Sequence, residues 1–147
     1  MNLNMRINSK IIFLCFLVAS SATLGSLFFS DIMGFVPCNM CWYQRIFIYP
    51  LSILFLINLL YPDDNVYKYT FPIVVIGLLF AIYHNLLMLD IIPESMVPCS
   101  SGIPCSTEYI NWFGFITIPS LSFIAYLMLF LLLVLGKEKQ HKKKKKQ

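Results

Sequence analysis

Four cysteines in two pairs are the residues of this chain best suited to chemistry. Cys38 and Cys41 form a CxxC within Val36-Pro37-Cys38-Asn39-Met40-Cys41-Trp42-Tyr43-Gln44-Arg45. Cys99 and Cys105 sit in a second polar stretch, Val97-Pro98-Cys99-Ser100-Ser101-Gly102-Ile103-Pro104-Cys105-Ser106. Each pair lies just outside an apolar segment of membrane length. Thiols at the edge of lipid point to electron transfer between sulfur and something dissolved in the bilayer. A CxxC alone also reads as half of a zinc site or as a small structural loop, so its surroundings must decide.

Those surroundings favour redox work. Pro37 precedes Cys38, and an apolar run opens within a few residues of Cys41, which puts the pair at the N-terminal end of a helix. There, unpaired backbone N–H groups and the helix dipole favour a thiolate over a thiol. Arg45 follows Cys41 by four residues, one helical turn deeper on the same face. A guanidinium at the membrane edge is costly unless it serves something. Here it can stabilise the Cys41 thiolate, or an anion forming on a bound redox partner. The plainer account is snorkelling toward the head groups. Trp42 and Tyr43 suit the aromatic belt of a membrane surface.

In the second pair, Gly102 and Pro104 favour a turn that lets the two sulfurs approach without strain. A cross-link over so short a loop gains little from chain entropy. An exposed disulfide there is the labile, exchangeable kind, with a structural staple as the alternative. Zinc held by all four thiolates fits poorly, because five residues separate Cys99 from Cys105 and the chain has no second CxxC and no HxxxH. No metal is expected. His84 lies within an apolar segment, where an ionisable group is a functional candidate: it can donate to a carbonyl, shuttle a proton or simply pack. Asn85 and Tyr83 beside it are given no role. Cys15, inside the first apolar run, reads as a small buried hydrophobe.

The elements that must position these groups follow from composition. Of 147 residues, 59% are hydrophobic and 12% charged, about half the charge fraction of an ordinary soluble domain. Apolar segments at about 11–30, 42–61, 70–89 and 113–135 each approach the ~20 residues that carry a helix across a bilayer. Lipid offers no partner to a bare backbone, so these runs must be helical. The expectation is an all-α integral membrane protein: one domain over 1–147, a four-transmembrane-helix bundle with a polybasic tail at 136–147. A cleaved signal peptide would also account for Arg6, Lys10 and the small residues of Ala19–Ala22, but the apolar run continues to Phe29, beyond a typical ~7–15-residue h-region.

Charge sets the orientation. Arg6, Lys10, Lys68 and the seven lysines after the fourth segment fall on one side of an alternating bundle, and only Arg45 falls on the other. The positive-inside rule makes both termini cytoplasmic and turns both cysteine loops outward. Disulfides persist outside the cytoplasm, so these cysteines are expected to spend much of their time paired. The lysine tail either binds anionic head groups or only fixes topology and is otherwise disordered; the second reading is preferred. Lipid is thus the expected surrounding partner, and nucleic acid is not.

Taken together, these residues resemble the DsbB-like disulfide bond formation family, in its short branch often called BdbC. The resemblance covers nearly the whole chain. It rests on Pro37 to Arg45, Tyr49-Pro50, Tyr83-His84, Ile103-Pro104-Cys105-Ser106 and Phe113-Gly114-Phe115-Ile116-Thr117-Ile118-Pro119. It implies reoxidation of an extracytoplasmic thioredoxin-fold, DsbA-like thiol oxidase, with electrons passed to a membrane quinone, ubiquinone or menaquinone, in a bacterial inner membrane. The redox-active disulfides would be Cys38–Cys41 and Cys99–Cys105. The partner would attack Cys99, Cys105 would pass electrons to the Cys38–Cys41 pair, and Cys41 would face the quinone. Arg45 would hold the quinone oxygen, and His84 would serve the other side of the ring. The short spacing of Cys99 and Cys105 departs from the longer proteobacterial members, which puts the order of exchange in doubt.

Two other readings compete. A vitamin K epoxide reductase-like relay carries its CxxC in the last helix, whereas here the CxxC opens the second. A non-enzymatic scaffold or metal-handling protein would use its cysteines only to brace loops. The topology has a direct check. An impermeant thiol reagent should label reduced Cys99 and Cys105 from outside intact cells; labelling only after the cells are opened reverses the orientation.

Overall fold

A computed structural model describes residues 8–89, 91 and 117–144, with side chains in the last stretch as far as Lys137. Cys99 and Cys105 lie outside the described residues. Within them the chain is helical: α1 (Ser9–Leu27) running into a short π-helical turn (Phe28–Ile32), α2 (Asn39–Leu60), α3 (Val66–Met88) and α4 (Ile118–Lys144). All four helices are long and apolar enough to cross a membrane.

Their limits differ from the expected ones where local polar groups take over. Asn8 caps α1 by accepting from the Lys10 backbone N–H at 3.1 Å. Helix α2 begins three residues earlier than expected because Cys38 serves as its cap. Helix α3 begins at Val66 rather than near 70: Asp63 accepts from the Asn65 N–H at 2.9 Å, and its carbonyl takes the Val66 N–H. For α4, residues 113–116 lie outside the described residues and Thr117 is not helical. Pro119, the second helical residue, has no N–H to bond and sits in the first turn, where that N–H would have no helical partner. At its other end α4 continues to Lys144, so this much of the tail is helical instead of disordered. Lys, Glu and Gln are good helix formers, and no breaker interrupts them.

Consecutive helices pack side by side, and α4 returns against α1, closing a ring of four. Its interior holds Ile12, Cys15 and Ala19 of α1, Leu51 and Phe55 of α2, Val74 and Ala81 of α3, and Tyr126, Leu129 and Leu133 of α4. Cys15 is fully buried there, as a small hydrophobe. Phe13, Leu24, Ile53, Leu79 and Leu131 face outward and exposed. Helices apolar on every face belong in lipid, and together these features make the chain a multi-pass membrane protein.

One close contact fixes α4 across the bundle. Gly77 leaves room for the Tyr126 ring where any side chain would collide with it. The seated Tyr126 hydroxyl donates to the Gln44 carbonyl of α2 at 2.7 Å. Gly77→Ala should therefore destabilise the folded protein by about 1–3 kcal/mol, the usual range for overpacking. Thermal melting in detergent measures this, and an unchanged midpoint would show that the ring can move aside.

Candidate active site

The site is assembled where α1 ends, α2 begins, α3 ends and α4 begins. Between α1 and α2 the chain turns at Gly34, whose φ of 70° lies in the left-handed region that glycine enters without strain. It then delivers Cys38 in extended conformation to the head of α2. Four N–H groups at a helix start lack backbone partners. In α2 the Cys38 sulfur takes the role that a serine or aspartate oxygen usually plays, accepting from the Cys41 N–H at 3.4 Å. The Cys41 thiol also donates to it, with the sulfurs 3.1 Å apart.

The sequence singled out Cys41, but the hydrogen bonds able to steady a thiolate converge on Cys38. His84 Nε2 of α3 lies 3.8 Å from the Cys38 sulfur. The other ring nitrogen, Nδ1, is 3.2 Å from the Gln44 side-chain Nε2. Cys38 lies just ahead of the membrane-spanning segment Asn39–Leu60. The Cys41 thiol hydrogen bond holds it well below the ordinary thiol range; burial opposes this, and His84 adds to the lowering.

Arg45 sits one turn below Cys41. Its Nη2 donates to the Ser26 carbonyl of α1 at 3.2 Å, and the guanidinium lies over the Trp42 ring at 5.4 Å from its centre. Ser30, from the π-helical turn, donates its hydroxyl to the same carbonyl at 3.2 Å. This ties the end of α1 to the first turns of α2.

Cys38, Cys41, Arg45 and His84 all line one cavity of about 430 Å³. Its remaining walls are mostly apolar, from Val18, Ala22 and Phe29 of the first segment and Ile118, Leu121 and Ala125 of α4. That volume suits a drug-sized ring compound. The structure thus brings together four of the six expected site residues, the other two being Cys99 and Cys105. The sulfurs of Cys38 and Cys41 and a nitrogen of His84 also lie within 4.8 Å of one another, a set of donors able to hold a metal ion.

Three further residues support the site. Gln44 is buried against His84. Tyr126 secures the Gln44 backbone. Asn85 donates to the Pro119 carbonyl at 3.0 Å and accepts from Ser120 at 3.3 Å, joining the end of α3 to the start of α4. Gln44 carries the signal that marked His84, a polar group costly to place in an apolar span.

The family model for disulfide bond formation protein DsbB matches residues 8–136. The chain belongs to the DsbB family. It is similar to disulfide bond formation protein C of Bacillus subtilis, at 45% identity over 131 residues that cover 88% of this chain and 95% of that one. A probable disulfide formation protein C 2 of Bacillus cereus is 40% identical over 129 residues, covering 88% and 92%. A probable disulfide formation protein of Metapseudomonas resinovorans is 36% identical over 127 residues, covering 86% and 88%. No solved structure matches. Membership in the DsbB family gives this membrane protein the thiol oxidoreductase chemistry of disulfide bond formation.

The asymmetry of the pair has a pH signature. Alkylation of Cys38 in the reduced protein should stay fast as pH falls below the ordinary thiol range, slowing only once its thiolate protonates. Cys41→Ala removes the largest cause of the lowering, so the midpoint should move up in pH. Equal midpoints in the two proteins would show that the Cys41 hydrogen bond does not set the acidity of Cys38.

Proposed function

We propose that this protein reoxidises an extracytoplasmic thioredoxin-fold, DsbA-like thiol oxidase and passes the electrons to a membrane quinone. The observation that carries this reading is the dithiol opening onto an apolar cavity that also holds Arg45 and His84. The cysteine end of the bundle faces outward, by the charge distribution, from a bacterial inner membrane.

The partner's thiolate attacks the Cys99–Cys105 disulfide, and the freed Cys105 carries the exchange to Cys38–Cys41. In sum, the partner's dithiol closes to a disulfide and the Cys38–Cys41 disulfide opens to a dithiol. A bound quinone supplies the acceptor for the two electrons and two protons that leave as Cys38–Cys41 closes again. The residues present suit such a group: apolar walls for the ring, and a guanidinium with donors beyond the one given to Ser26.

Cys41 faces the cavity as the electron-donating sulfur. Arg45 offers a charged donor to a quinone oxygen as negative charge builds there. His84 Nε2 exchanges a proton with the Cys38 sulfur, and Gln44 holds the imidazole in line for it. The cap at Cys38 stabilises the reduced form, which makes this disulfide the more oxidising and the readier to accept electrons from a partner.

The test mixes the reduced partner oxidase with a soluble quinone analogue and follows quinol formation against thiol loss. The two should run in step, and Cys41→Ser should stop both and leave the partner reduced. Arg45→Ala should raise the apparent KM for the quinone about tenfold, the worth of one charge-assisted hydrogen bond. An unchanged KM would remove the quinone from this cavity.

A further inference from the structure

We propose that the reduced form of this protein has a second ligand: a soft divalent cation of the zinc class, held by Cys38, Cys41 and His84, that blocks reoxidation. Binding needs only the open dithiol, whereas its effect on turnover rests on the quinone reading above.

The geometry is close to what such an ion requires. Tetrahedral zinc with ordinary bond lengths sets two sulfurs about 3.8 Å apart, and sulfur and nitrogen about 3.6 Å apart. Here Cys38 lies 3.1 Å from Cys41 and 3.8 Å from His84 Nε2, and all three donors fall within 4.8 Å. The Cys41 sulfur must move away from Cys38 and toward His84, by up to about an ångström, to complete the set. Three protein ligands leave a fourth position open, and it faces the cavity these residues line.

The ligands are also supported from behind. Metal-binding histidines are usually oriented through their second nitrogen, and here Nδ1 is 3.2 Å from the buried Gln44 amide. Turned half a revolution, that amide presents its oxygen to Nδ1–H and frees the Nε2 lone pair for the ion. Charge balance favours a divalent ion. Two thiolates neutralise it, so the filled site adds no net charge to an apolar cavity. Thiolate and imidazole donors select zinc-class ions over magnesium or calcium.

The site exists in only one redox state. Binding replaces the protons of both thiols with the ion. Closing the Cys38–Cys41 disulfide consumes both thiolates and releases it. An ion bound there occupies the electron pairs that must leave the sulfurs, and so competes directly with the acceptor.

Cadmium is the probe, read by its thiolate charge-transfer band in the ultraviolet. The full-length chain carries Cys15→Ala, Cys99→Ser and Cys105→Ser, so that the two site thiols alone remain. Reduced protein should bind one ion per chain, and the oxidised protein none. His84→Ala should weaken binding at least tenfold, and His84→Cys should restore it, which separates a lost ligand from a lost fold. In the unaltered protein, cadmium should slow quinol formation in proportion to occupancy, and chelation should reverse this. Binding unchanged in His84→Ala, or surviving in Cys38→Ser with Cys41→Ser, overturns the site. Failure to bind alongside intact quinone reduction removes this inference and leaves the oxidoreductase. Cadmium binding in a protein that reduces no quinone removes the proposed turnover instead.

Discussion

The hydrogen bond from the Cys41 N–H to the Cys38 sulfur joins fold and chemistry in one contact. A helix entering a membrane must satisfy its first N–H groups before water is left behind. In α2 the acceptor is the sulfur of the first cysteine of the CxxC. The cap places that sulfur at the head of the helix, fixes its spacing to Cys41 and turns it toward His84. Structural need and reactivity thus fall on the same atom.

Around that contact the bundle is built to hold position. Gly77 admits Tyr126, Tyr126 grips the Gln44 backbone, and the Gln44 side chain steadies His84. The chain of contacts runs from α3 through α4 to α2 and back to α3. On the other side, Arg45 pins the α1 carbonyl of Ser26. Lipid contributes no directional bonds of its own, so a few internal polar contacts carry most of the burden of register.

Much of this was legible in the sequence, for identifiable reasons. Four uninterrupted apolar runs can only be helices in lipid, and a CxxC after Pro37 reads as a helix start. The family was recognisable from motifs spread over nearly the whole chain. What escaped was local and three-dimensional. The start of α2 depends on capping by Cys38 and that of α3 on the turn that Asp63 makes with Asn65 and Val66, which hydropathy does not register. The hydrogen bonds at the cap converge on Cys38 because they point backward along the chain, while sequence spacing draws attention forward from Cys41 to Arg45. Asn85 and Tyr126 act across the bundle, and nothing in their neighbours along the chain announces their partners.

The cavity beside the dithiol takes its walls from the first and last helices, which meet only because the ring closes. A ribosome delivers the CxxC early and α4 last. Throughout that interval the nascent protein owns a capped cysteine pair but no finished chamber beside it. Order of insertion thereby becomes order of enclosure: the chamber is complete only once α4 has come to rest against α1.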